Sequence, residues 1–145
     1  MKKELPPEVR KLLGAGSVVG IVGSRDWVDR KVIFDFVGGL YVGTMVVSGD
    51  CRGVDRFVRE AAAFFKMGFE GLPANWGKYG VGGGPVRNDV LVRFGLDVLV
   101  VFIKSNSVYG DGSSDVMRRA CKFGVPVVIF NEKGLVSWRV QLSLF

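Results

Sequence analysis

The chain has 145 residues, enough for one domain with a sizeable core, and although 48% are hydrophobic, no apolar run reaches the length of a membrane span. Histidine is absent, which excludes Ser-His-Asp and Cys-His catalysis and histidine-based zinc sites. The net charge of +6 suits nucleic acid or an anionic small ligand equally, because the basic residues are scattered rather than gathered in a run.

Residues 1–16 read as an N-terminal extension. It has no apolar stretch followed by a small-residue cleavage site, so the expected location is cytoplasmic, with no membrane partner. Within it, residues 7–13 form a predicted short helix stopped by Gly14. Residues 18–22 read as a buried strand. Residues 29–37 place Val32, Ile33, Phe36 and Val37 on one helical face. A second strand spans 44–48. The clearest helix spans 54–67, where Val54, Phe57, Val58, Ala61, Ala62 and Phe65 keep helical spacing until Gly68.

A third strand covers 69–72, and a long glycine-rich loop with Trp76 and Tyr79 follows. Gly84 is the expected cap of the next helix, with Pro85 at its first position and Val86, Val90, Leu91 and Phe94 inward. Residues 98–103 are apolar enough for a strand buried on both faces. A polar loop over 105–114 leads to a helix over 115–123, with Val116, Met117, Ala120 and Cys121 inward, then a strand over 127–130. Residues 136–144 alternate as a half-buried strand does. This order predicts an α/β fold: a Rossmann-like three-layer sandwich with a mostly parallel central sheet of about five strands. Residues 1–145 form a single domain, with 135–145 as a terminal strand or tail.

Three loops carry the candidate chemistry. They are Gly23-Ser24-Arg25-Asp26, Ser48-Gly49-Asp50-Cys51-Arg52-Gly53, and the segment ending Gly84-Pro85-Val86-Arg87-Asn88. The first two follow a predicted strand, and all three open a helix. Such turns offer backbone N–H groups to an anion. Arginine opposes the dipole at a helix start, so Arg25, Arg52 and Arg87 point to a phosphate-bearing ligand. The alternative is local ion pairing of Arg25 with Asp26, Arg52 with Asp55 and Arg87 with Asp89. Asp55 either bonds a ribose or activates water, or it holds Arg52 in place. Trp76 either stacks on a base or plugs the loop, and for Tyr79 the plug is expected. Cys121 reads as a core residue and Cys51 as a packing residue. No metal site and no cofactor is expected.

The loop phrases, in this order and spacing, resemble the SLOG superfamily, in particular its YspA/YpsA-related branch. The shared pieces are Gly23-Ser24-Arg25, Ser48-Gly49-x-x-Arg52-Gly53-x-Asp55, Pro73-Ala74-x-Trp76 and Gly84-Pro85-x-Arg87-Asn88. The resemblance runs from about residue 18 to residue 130. It implies a Rossmann-like domain that binds a nucleotide or nucleotide-derived ligand as a sensor or a hydrolase, and that pairs into homo-oligomers. It also implies ligand contacts at Gly23, Ser24, Arg25, Ser48, Gly49, Arg52, Gly53, Trp76, Gly84, Arg87 and Asn88. The fourth loop of that branch usually carries Gly-Thr, and its nearest match is Gly112-Ser113-Ser114-Asp115. A hydrolase of this kind would cut an N-glycosidic bond, as the related LOG phosphoribohydrolases do, with Asp55 as the catalytic carboxylate. The LOG motif Pro-Gly-Gly-x-Gly-Thr-x-x-Glu is missing, however, and Met117 stands where its glutamate would fall.

A second reading is a nucleic-acid or replication-linked binding protein, similar in fold to DprA. The last five residues, Gln141-Leu142-Ser143-Leu144-Phe145, resemble a peptide that docks on the bacterial sliding clamp, with Gln141, Leu142, Leu144 and Phe145 as anchors. The competing expectation is that Leu142 and Leu144 complete an edge strand.

Overall fold

A computed structural model describes residues 5–105 and 111–139. The Leu5 and Val9 side chains are buried in the main core, so this part of the N-terminal extension is integral to the domain. Val9 sits on a short helix, α1 (Pro7–Arg10). The chain then runs β1 (Val18–Gly23), α2 (Arg30–Gly38), β2 (Met45–Ser48), α3 (Val54–Phe64) and β3 (Gly68–Gly71). After a single turn, α4 (Trp76–Tyr79), come α5 (Gly83–Val92), β4 (Val98–Phe102), α6 (Asp111–Lys122), β5 (Val127–Asn131) and β6 (Gly134–Arg139).

The strands form one sheet in the order β3-β2-β1-β4-β5-β6. The first five are parallel, and β6 returns antiparallel against β5. This is the expected Rossmann-like α/β sandwich, with β1, β2 and β4 central. β4 is buried along its whole length, as its run of Val and Leu requires between two helical layers.

The layers divide by residue parity. Val19 and Ile21 of β1, with Val98, Val100 and Phe102 of β4, face α2 and α3. Val22, with Leu99 and Val101, faces the α5 and α6 side. Trp27, Phe36, Phe102 and Phe130 fill the first layer with edge-on and stacked rings, centroids 5.2–5.6 Å apart. Trp27 also donates its indole N–H to the Asp29 carbonyl at 2.8 Å, which anchors the end of the β1 loop.

Three sequence expectations change. Helix α5 begins at Gly83, so Gly84 is inside it rather than capping it, and Pro85 is its third residue. Its buried face is Gly83, Gly84, Asn88, Leu91 and Val92, while Val86, Val90 and Phe94 are exposed. The spacing of the valines alone could not show this, because two small glycines and a bonded asparagine occupy the inner face instead. Helix α6 begins at Asp111, so Gly112, Ser113 and Ser114 belong to its first turn and not to a loop. The C-terminal alternation does form a strand over β6, whereas Gln141, Leu142, Leu144 and Phe145 lie outside the described residues.

The carboxyl edge of the sheet is closed by glycine. A Cβ at Gly23 would overlap the Phe102 carbonyl of β4 and the Val54 side chain of α3. Gly23→Ala should therefore destabilise the domain by about 1–3 kcal/mol. Equilibrium urea unfolding checks this, and an unchanged midpoint would contradict the close approach.

Candidate functional site

Parallel strands with right-handed crossovers deliver their following loops to one edge. Strand order reverses between β1 and β4, where α/β sheets bind ligands. The loop after β1 is tied down there on three sides. Ser24 donates its N–H to the Phe102 carbonyl at 3.0 Å, and its hydroxyl accepts the Lys104 N–H at 3.3 Å. Its carbonyl accepts from Trp27 and from Val54, the first residue of α3. Gly53 joins this loop to the next. Its φ is +75°, and a Cβ there would overlap the Ser24 and Arg25 carbonyls.

A second cluster lies against Gly49. Any Cβ on Gly49 would overlap both the Arg87 guanidinium and the Asp55 carboxylate, so these groups flank one α-carbon. Asp55 is 5% exposed. One oxygen accepts the Cys51 N–H at 3.2 Å, and the other is 3.3 Å from the Ser48 hydroxyl. That hydroxyl also lies 2.5 Å from the Ile21 carbonyl. Burial pushes the Asp55 carboxyl up to about 6, against the Cys51 N–H, the Arg87 charge and the Ser48 and Cys51 side chains, which pull it down.

Arg87 is held from behind. Its Nε–H donates to Asn88 Oδ1 at 2.9 Å, and one Nη1–H reaches the Leu72 carbonyl at 3.5 Å. A guanidinium has five N–H groups, and the described contacts use two of them. Asn88 is buried and donates Nδ2–H to Asp115 at 3.0 Å. A guanidinium on one side and a carboxylate on the other fix the orientation of its amide. Asp115 also binds Arg118 at 2.6 Å and Arg119 at 2.8 Å. Its partial burial is outweighed by the Arg119 and Asn88 hydrogen bonds and the two arginine charges, which hold its carboxyl below the usual range.

The structure thus brings Ser48, Gly49, Asp55, Arg87 and Asn88 into one cluster, and Gly23, Ser24 and Gly53 into the backbone junction beside it. The Arg25 backbone is part of that junction. Arg25 and Arg52 are themselves exposed, and no described contact joins their side chains to Arg87. Ser113 and Ser114 are half-buried in the first turn of α6, just before Asp115. Trp76 lies over Gly83 and Gly84 yet is 50% exposed, so it covers the start of α5 without being a core plug. Tyr79 is exposed as well, because α4 ends there on the surface.

Among the described residues, none of the three local ion pairs forms. Asp26 faces Lys104 at 3.6 Å, and Asp89 binds Arg93 at 2.8 Å and Arg119 at 3.5 Å. Asp55 takes the Cys51 amide rather than Arg52. Arg119 is a neighbour of this cluster that the sequence reading missed, and Asp115 entered that reading only as the end of the fourth-loop match. Their four-residue spacing marks them as a helical pair, but nothing in the sequence links them to Asn88.

Over 122 residues, the chain is 36% identical to the Gene 61 protein of Mycobacterium phage D29, covering 78% of this chain and 95% of that protein. The chain belongs to the family of that phage protein. No protein-family model matches it, and no solved structure does. Along this family member, no described helix is long and apolar enough to cross a membrane.

Because the Asp55 pKa is raised in the fold, the folded state holds this proton more tightly than the unfolded chain. The linked stability is complete below about pH 4 and is lost as the pH rises through about 6. Asp55→Asn removes an ionising group that is costly to bury. It should raise stability near pH 8 by of order 2 kcal/mol and flatten the pH dependence between 4 and 7. Thermal melts of both proteins across that range test the sign.

Proposed function

We propose that this protein binds a nucleotide or nucleotide-derived ligand at the carboxyl edge of its sheet, as a member of the SLOG superfamily. The observation that carries the reading is Arg87. It is a part-buried guanidinium, fixed by Asn88 and the Leu72 carbonyl, with donors left over, beside the bare backbone of Gly49. The ligand phosphate lies against those donors and the loop amides. Exposed Arg25 and Arg52 supply a positive approach, and Trp76 offers a half-exposed ring for a base.

Binding is better supported than hydrolysis. Asp55 is ionised for the most part at neutral pH and so is able to act as a base, but it presents little surface to a substrate. Its hydrogen bonds hold the loop after β2 in shape. A sensor-like role fits a site whose carboxylate is buried behind its anion-binding arginine.

Differential scanning fluorimetry with AMP, ADP, ATP and NAD tests the proposal. A nucleotide at about a hundred times its Kd should raise Tm by roughly 5–10 °C. Arg87→Ala should abolish that rise and leave the far-UV circular dichroism of the free protein unchanged. Should no nucleotide stabilise the protein while duplex DNA binds with steep salt dependence, the nucleic-acid reading replaces this one.

The proposal includes pairing of two copies. Exposed Val86 and Val90 of α5, Phe94 just past its end, and Phe123, whose ring lies under Arg93, form the surface for that contact. Val90→Glu should shift the protein to monomer in light scattering coupled to size exclusion.

A further inference from the structure

Resting on that reading of the site, we infer that an anion bound against Arg87 drives a solvent proton onto Asp55, so that ligand binding is coupled to proton uptake and weakens as the pH rises. Several charged and polar groups face the carboxylate. From α5 comes the Arg87 guanidinium, close enough that both groups touch the space of one absent Cβ on Gly49. No described ion pair within 4.0 Å joins them, so Arg87 acts on Asp55 through its charge rather than by direct bonding. From the loop after β2 come the Cys51 N–H and thiol, and from β2 the Ser48 hydroxyl. From α6, Asp115 reaches only as far as the Asn88 amide. Arg87 is therefore the positive charge that favours the ionised form of Asp55.

An anion on the outer donors of Arg87 engages that charge and adds a negative one of its own. Both effects disfavour a second negative charge across Gly49, and the low exposure of Asp55 leaves little water to screen it. The cluster also accommodates the neutral carboxyl without rearrangement. Ser48 has a single hydroxyl hydrogen, and the nearer acceptor is the Ile21 carbonyl. With that hydrogen on Ile21, the Ser48 oxygen is free to accept from a protonated Asp55, while the other carboxyl oxygen still accepts the Cys51 N–H. The neutral carboxyl is thus satisfied without moving a heavy atom, whereas with Asp55 ionised the one Ser48 hydrogen is shared between the Ile21 carbonyl and Asp55 Oδ1. The raised Asp55 pKa, near 6 without ligand, puts the change within reach of neutral pH.

Inorganic sulfate is the probe, because it mimics a phosphate and keeps its charge throughout the range. In isotopically labelled wild-type protein, the Asp55 side-chain carboxyl 13C resonance is followed against pH. It is measured in sodium sulfate and in sodium chloride of equal ionic strength, while the Arg87 15Nε resonance reports whether sulfate occupies the site. The expected result is an Arg87 response to sulfate, with the Asp55 midpoint raised by about one pH unit or more. Wild-type affinity for sulfate should then fall by up to about tenfold per pH unit between the free and the sulfate-bound midpoints, and level off above the latter. In Asp55→Asn it should be independent of pH from about 6 to 8, and Arg87→Gln should abolish the sulfate effect on Asp55. An Arg87 resonance that responds to sulfate while the Asp55 midpoint stays fixed overturns the proton coupling and leaves the anion site standing. An Arg87 resonance indifferent to sulfate overturns the anion site itself, and the coupling with it.

Discussion

At the carboxyl edge of the sheet, backbone lies directly on backbone. Gly23 meets the Phe102 carbonyl, and Gly53 meets the carbonyls of Ser24 and Arg25. Adjacent strands stand about 4.8 Å apart, so loops leaving them can converge only where side chains are missing. With these contacts in place, Ser24 reaches Phe102, Lys104, Trp27 and Val54 at once. The start of α3 is thereby fixed against the end of β1. Asp55, in the first turn of α3, is carried to its position under the loop after β2.

That placement has an electrostatic consequence. A carboxylate near a helix start normally benefits from the helix dipole. Asp55 is also beside an arginine, yet its proton is held more tightly than in water, because burial outweighs both helpers. An asparagine would fill the same space without the penalty of ionisation. The aspartate therefore costs the fold stability at neutral pH, while its hydrogen bonds to Cys51 and Ser48 hold the loop after β2. Arg87 is the complementary case. Asn88, itself bonded to Asp115, and the Leu72 carbonyl hold it in place, and no described ion pair neutralises it. The glycine between them brings the cation and the buried carboxyl close enough for the Arg87 charge to act on Asp55.

Much of this was legible in the chain. Strands with runs of Val, Ile and Leu alternate with amphipathic helices, and that alternation specified the parallel sandwich and its central strands. The three glycine-arginine loops were recognisable as one edge, because connectivity and crossover hand place them together. Other features were not. Val86, Val90 and Phe94 keep a helical stripe, yet they face outward, since Gly83 and Gly84 sit beneath Trp76 and Asn88 is buried by its bonds to neighbouring elements. Periodicity reports that a helix has an apolar face; it does not report which face the sheet will cover. The beginning of α6 was equally obscure, because Gly112-Ser113-Ser114 reads as a loop by local propensity, while the structure makes it the first turn of a helix.

The division follows the range of the forces. Local patterning, turn chemistry and the burial demanded by continuous apolar strands act over a few residues, so the sequence alone determined the α/β class, the strand–helix order and the loops that meet at the sheet edge. Pairing between distant charges depends on distances that only folding sets. Local spacing offered Arg25 with Asp26, Arg52 with Asp55 and Arg87 with Asp89. Tertiary structure instead turned Asp26 to Lys104, Asp89 to Arg93 and Arg119, and Asp55 to the Cys51 amide beside Arg87. Coulomb attraction in water is weak enough for packing to overrule sequence neighbours, and where the chain buries a charge, the surrounding fold decides which partner that charge meets.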